Sequence, residues 1–162
     1  MNRLRLATVG AVGALVAGVG LMFPASARAA STYWTFQNAR FGTCLTAGAT
    51  GTAFATSCVG STRQQWDWVG DGHGIFKQLK NRNTGECLMT DNVTDVNAVW
   101  MSSCSGSAGQ WWFYNADTLR LYDDLGAAGQ GLLRSSNTKD AVYATDGDQE
   151  TEAYYTWIGT HD

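Results

Sequence analysis

Two stretches of this chain are copies of one another, and that repetition limits what it can fold into. Residues 42–66 read GTCLTAGATGTAFATSCVGSTRQQW, and residues 85–112 read GECLMTDNVTDVNAVWMSSCSGSAGQWW. Each holds Gly-x-Cys-Leu, an alternating segment that ends at a second Cys, and then Gln-x-Trp, whose Trp follows that Cys by eight residues. A third, degenerate copy runs from Gly131 to Trp157. There Leu132-Leu133 stands for Cys-Leu, Ala141-Val142-Tyr143-Ala144 echoes Ala98-Val99-Trp100-Met101, and Tyr155-Thr156-Trp157 stands for Gln-x-Trp. Trp66, Trp112 and Trp157 are 46 and 45 residues apart. Short alternating segments between Gly, Asn and Asp turns at this pitch predict about four strands per repeat, among them Thr52–Thr56, Ala98–Ser102 and Ala141–Thr145. A propeller typically needs at least four blades, so three copies predict a compact threefold barrel.

The segment ahead of the repeats is of another kind. Arg3 and Arg5 precede an apolar Gly/Ala/Val-rich run from Leu6 to Phe23, and Ala25-Ser26-Ala27 and Ala27-Arg28-Ala29 place small residues at cleavage-site spacing. That pattern predicts a secretory signal peptide over 1–29, not a membrane anchor, and an extracellular domain over 30–162. Its repeats span about 31–70, 71–115 and 116–159. Three of the eleven basic residues leave with the leader, so eight face fourteen acidic ones, with no basic cluster. This argues against nucleic acid or an anionic membrane as partner. All seven Trp lie in residues 30–162, which lack Pro and are rich in Gly, Thr, Ser and Asn, as expected of an all-β chain with many turns. Cys44, Cys58, Cys87 and Cys104 make an even count in an exported chain, which favours two disulfides over a metal site. Only His73 and His161 could add ligands, and spacing alone leaves all three connectivities open.

Gly-x-Cys-Leu, the strand ending at Cys, and Gln-x-Trp, repeated at this pitch, resemble the ricin B-type lectins. The resemblance covers essentially all of residues 30–162. It implies an all-β fold, a β-trefoil of three pseudo-repeats and about twelve short strands. It also implies the pairings Cys44–Cys58 and Cys87–Cys104, and a core built on Trp66, Trp112 and Trp157 with Gln64 and Gln110 as internal hydrogen-bonders. Tyr155 takes the Gln position in the third copy.

A sugar site in that family combines three elements: an Asp directly after Cys-Leu, an aromatic two residues before the second Cys, and an Asn before Gln-x-Trp. This sequence departs at each. It has Thr46, Met89 and Arg134 after the pair, Thr56 and Ser102 before the second Cys, and Arg63 and Gly109 before Gln-x-Trp. Asp91, two residues beyond Met89, is a partial substitute or a solvated turn residue. Another element recurs: Phe54, Trp100 and Tyr143 occupy one place in the three repeats, between small or aliphatic neighbours. Period-two alternation puts those neighbours on one face and the aromatics on the other. The rings then serve either as stacking platforms, with Thr56, Ser102, Thr145 and Asp146 as polar partners, or as packing between repeats.

Asp146, Asp148, Glu150 and Glu152 alternate but do not match an EF-hand loop, and read as a solvated acidic turn. Asn92-Val93-Thr94 is a glycosylation sequon. His73, in Gly70-Asp71-Gly72-His73-Gly74, reads as an ordinary loop histidine, and Trp34, Trp68 and Trp111 as core or rim packing. There is no Gly-x-Ser-x-Gly elbow, His-Glu-x-x-His or phosphate loop, and nothing nominates the adjacent Asp123 and Asp124 as a glycosidase pair. The expectation is therefore a secreted, monomeric, non-enzymatic binder of glycans or polysaccharide with no cofactor or metal. The alternative is a protein-binding trefoil, such as a secreted hydrolase inhibitor, presenting Asn92–Asn97 or Asp123–Gln130.

Overall fold

The computed structural model describes residues 32–91, 93–125, 131–136, 140–146 and 151–162. The expected leader, the sequon residue Asn92, and Asp148 and Glu150 lie outside the described residues, as do positions 126–130 of the second expected binding loop. Among the described residues twelve strands fall four to a repeat. The first repeat holds β1 (Trp34–Asn38), β2 (Thr43–Ala47), β3 (Ala53–Ser57) and β4 (Trp66–His73). The second holds β5 (Phe76–Asn81), β6 (Cys87–Thr90), β7 (Val96–Ser102) and β8 (Trp111–Asn115). The third holds β9 (Arg120–Asp123), β10 (Leu132–Ser135), β11 (Val142–Thr145) and β12 (Trp157–His161), with one helical turn, α1 (Glu152–Tyr155), before the last strand. His73 therefore ends an extended β4, with a register shift after Val69, where a Gly-rich connector was expected.

Six strands close the barrel. Pairing sets Trp157 opposite Asn38, Trp66 opposite Asn81, and Trp112 opposite Asp123. These three antiparallel pairs join through Trp34 opposite Trp66 and Lys77 opposite Trp112. At the third junction the Trp157 N–H donates to the Leu119 carbonyl at 2.7 Å. The hairpins β2–β3, β6–β7 and β10–β11 cap one end. This is a β-trefoil.

The repeat motif explains the interior. Trp66, Trp112 and Trp157 are fully buried, and their indole N–H groups donate to the carbonyls of Leu45, Leu88 and Leu133 at 3.2, 3.0 and 2.9 Å. Each repeat's core Trp thus ties a barrel strand to the first strand of its own hairpin. A buried Trp with its N–H paired contributes hydrophobic burial without an orphaned donor, and truncating such a ring costs about 3–5 kcal/mol. Gln64 accepts from Val59 and Gly60 N–H through Oε1, and donates to Thr46 Oγ1 and the Ser57 carbonyl through Nε2. Gln110 repeats the pattern with Ser105, Gly106, Ser102 and Ser103. In the third copy the buried Tyr155 hydroxyl reaches Thr145 Oγ1 at 3.1 Å. Disulfides join Cys44 to Cys58 and Cys87 to Cys104, closing separations of 14 and 17 residues.

The corner residues Asn38 and Asn81, each opposite a core Trp, also act alike. Asn38 Oδ1 accepts from Arg40 and Phe41 N–H, and its amide donates to the Tyr154 and Thr156 carbonyls. Asn81 does the same with Asn83, Thr84, Arg63 and Gln65. The third corner carries Asp123. Its Oδ1 accepts from Leu125 N–H at 2.9 Å, while Oδ2 is buried without a hydrogen-bond partner among the described residues.

Candidate ligand-binding surfaces

The cap positions the recurring aromatics. Ala55, Val99, Met101, Val142 and Ala144 belong to the buried core, so the alternate side chains on these strands face away from it. Across each hairpin, Phe54 pairs with Thr46, Trp100 with Met89, and Tyr143 with Arg134. Each aromatic therefore stands opposite the residue that follows Cys-Leu. Each also meets a neighbouring hairpin: Phe54 opposite Ala141, Trp100 opposite Thr52, and Tyr143 opposite Ala98. Phe54, Trp100 and Tyr143 are half-buried in these seams. The Arg134 guanidinium, itself buried, lies 5.2 Å over the Tyr143 ring.

Of the hydroxyls expected beside those rings, Ser102 and Thr145 are engaged internally, while Thr56 lines a neighbouring seam. Ser102 Oγ accepts from Gln110 Nε2 at 2.7 Å and donates to Met89 Sδ at 3.2 Å. Thr145 is fully buried against Tyr155. Asp91 and Asp146 are exposed just beyond β6 and β11, so the structure does not gather the six ligand candidates into one hollow. In the Asn92–Asn97 loop, Asn97 Oδ1 accepts from Thr94 N–H at 2.7 Å, leaving Val93 exposed.

A different seam is better furnished. Between the first and third hairpins lies a cleft of about 400 Å³ lined by Phe41, Thr43, Thr56, Ser57, Ser135, Ser136 and Asp140, among others. Phe41 is 42% exposed and braced edge-to-face on Tyr154 at 5.4 Å between centroids. Asp140 takes a φ of 70°, and its carbonyl accepts from Ala55 N–H at 2.9 Å, which stitches the two hairpins at the cleft. An exposed ring, a carboxylate and several hydroxyls suit a ligand with an apolar face and many hydroxyls. Phe41, Ser136 and Asp140 belong to no repeated motif, so the sequence does not single them out. Thr56 is the one signal.

Two further hollows lie elsewhere. One, at the barrel end away from the cap, is lined by Trp34, Trp68, Lys77 and Tyr114 with Trp112 behind. The other is an open groove beside His73, Phe76 and Asp124. His73 Nδ1 lies 2.6 Å from Asp124 Oδ2, and its ring stacks on Trp111 at 4.7 Å. The described residues contain no cluster of three or more His, Cys, Asp or Glu placed to hold a metal ion, and no helix long and apolar enough to cross a membrane.

Comparison with known proteins agrees with this architecture. A designed threefold-symmetric protein, ThreeFoil, superposes with a TM-score of 0.65 at 21% identity, covering 79% of this chain and 97% of that one. The β-trefoil lectin of the Vibrio vulnificus hemolysin/cytolysin, solved with N-acetyl-D-lactosamine bound, gives 0.61 at 19% identity, covering 81% and 96%. The cytolethal distending toxin of Actinobacillus actinomycetemcomitans gives 0.60 at 18% identity, covering 78% and 88%. No curated protein matches the sequence. The chain is a β-trefoil, and over residues 23–98 it matches the family of ricin-type β-trefoil lectin domain-like proteins.

Proposed function

We propose that this protein is a secreted, non-enzymatic carbohydrate-binding protein that takes glycan in the cleft between the first and third hairpins. The observation that carries this is the cleft's composition: Phe41 exposed beside Asp140 and the hydroxyls of Thr43, Thr56, Ser57 and Ser136. A pyranose offers a C–H face to an aromatic ring while its hydroxyls bond a carboxylate and nearby hydroxyls. The lectin-type family match and the signal-like N-terminus support the reading. The positions the family uses for sugar carry Thr46, Met89 and Arg134 here, and the Thr46 hydroxyl already accepts from Gln64, which moves recognition from those positions to the seam.

The test is a screen of the oxidised protein against soluble glycans and insoluble polysaccharides, with Phe41→Ala, Asp140→Asn and Trp100→Ala beside wild type. A hydrogen bond to a charged group contributes about 1.5–3 kcal/mol, so Asp140→Asn is expected to weaken binding roughly 10- to 100-fold. Phe41→Ala should weaken it comparably and Trp100→Ala little. Loss of binding in Trp100→Ala alone would return recognition to the cap aromatics. A folded protein that binds no glycan would sink the reading and direct the search to protein partners.

A further inference from the structure

The open end of the barrel departs from threefold symmetry in a way that leaves room for a ligand. Counting four residues back from each corner gives Trp34, Lys77 and Leu119; counting two on from each core Trp gives Trp68, Tyr114 and Gly159. Gly159 leaves a gap that Tyr114 fills. A Cβ at Gly159 would fall 2.7 Å from the Tyr114 ring. The Tyr114 hydroxyl donates to the Trp157 carbonyl at 3.0 Å and accepts from Gly159 N–H at 2.9 Å. That holds the ring against β12. Trp34 meets Tyr114 edge-to-face at 5.6 Å, and Trp68 is set by Phe36 at 6.2 Å. The rings are thus fixed walls, and about 260 Å³ remains between them.

Lys77 is the charged side chain on this wall, on a chain whose formal charge is negative. The indoles remain partly exposed and Ile75 on the rim is 62% exposed, so the mouth is wet. A fully apolar guest would gain most in an enclosed site; a ring with one stackable face and hydroxyls left in water suits this one. We infer that the barrel mouth is a second binding site, for a six-membered ring carrying a carboxylate, with a hexuronate residue as the occupant. The ring lays its one apolar face on an indole, and the carboxylate meets the Lys77 ammonium.

The test is calorimetric titration, with tryptophan fluorescence in parallel, using glucuronate and galacturonate oligosaccharides. Their neutral counterparts and benzoate serve as comparators, and Lys77→Gln and Phe41→Ala as variants. Lys77 is exposed, so its substitution changes no core packing. The expected result is uronate binding that quenches fluorescence, weakens with added salt and falls about fivefold or more in Lys77→Gln. It should persist in Phe41→Ala, which separates this site from the seam cleft. Equal affinity for neutral sugar, tighter binding of benzoate, or no effect of Lys77→Gln would overturn the inference.

Discussion

Replacing Asp123 with Asn should make the protein more stable at neutral pH and should remove much of its sensitivity to pH. At two barrel corners an Asn amide donates to the carbonyls on either side of the Gln-x-Trp glutamine position: Arg63 and Gln65 for Asn81, Tyr154 and Thr156 for Asn38. The corresponding carbonyls at the third corner are those of Gly109 and Trp111. Asp124 N–H bonds the Trp111 carbonyl at 3.0 Å, as Arg82 N–H bonds that of Gln65 and Ala39 N–H that of Thr156. A carboxylate has no proton to give there, and Asp123 Oδ2, at a fully buried residue, has no hydrogen-bond partner among the described residues. Burial pushes the carboxyl up to about 6 from 3.8; the Leu125 N–H opposes this, and the charges of Asp146 and Asp124 add to it. His73 faces Asp124 from β4.

The sign follows from the folded value lying above the unfolded one. The folded state favours the protonated acid, so its contribution is intact below about 4 and lost as pH rises through about 6. At pH 7 the displacement corresponds to about 3 kcal/mol of lost stability. Asn carries no charge and restores a donor, so urea unfolding of Asp123→Asn at pH 7 should show a gain of about 2–4 kcal/mol, or roughly 5–15 °C in Tm. The same comparison at pH 4 should show a much smaller gain. A variant less stable than wild type at pH 7, or one gaining equally at both pH values, would refute the reasoning.

The reverse change, Asn81→Asp, should cost about 3 kcal/mol at pH 7 and introduce a loss of stability as pH rises, read by the same denaturation series. Serine at both Cys87 and Cys104 releases a separation of 17 residues and should lower stability by roughly 3 kcal/mol, measured against wild type with its disulfides intact. Gln110→Ala strands Ser105 and Gly106 N–H groups and the Ser103 carbonyl around a fully buried position, and should cost about 2–4 kcal/mol. Tyr155→Phe removes one buried hydroxyl bond to Thr145 and should cost about 1–2 kcal/mol by thermal unfolding.

These residues also show what could be read before the structure. Gln64, Trp66, Gln110 and Trp112 announce themselves because the contacts they make lie within one repeat, and the same contacts are written twice at the same spacing. The disulfide pairing was legible only through the resemblance to ricin B-type lectins, since the spacing of the four Cys leaves three connectivities open. Tyr155 was recognisable by its place, although the hydroxyl contact with Thr145 that replaces the Gln network was not. The corner series Asn38, Asn81 and Asp123 is visible on aligning Phe36-Gln37-Asn38, Leu79-Lys80-Asn81 and Leu121-Tyr122-Asp123, but only the closed barrel shows that the third carboxyl is dry. The seam cleft left no trace in the repeat. Phe41 and Asp140 come from turns in different repeats and meet only because β3 lies against the third hairpin, where Phe54 bridges Ala141. The glycines around His73 predict a loop, yet β4 runs on through them to place it beside Asp124.

The most direct test of glycan recognition at the seam is an NMR titration of the isotope-labelled protein with its best-binding glycan, following backbone amide shifts. The account predicts saturable changes at Phe41, Thr56, Ser57, Ser136 and Asp140, with the cap amides of Trp100 and Met89 unmoved. Changes centred on Trp100 and Tyr143, or none at the seam while glycan is bound, would contradict it.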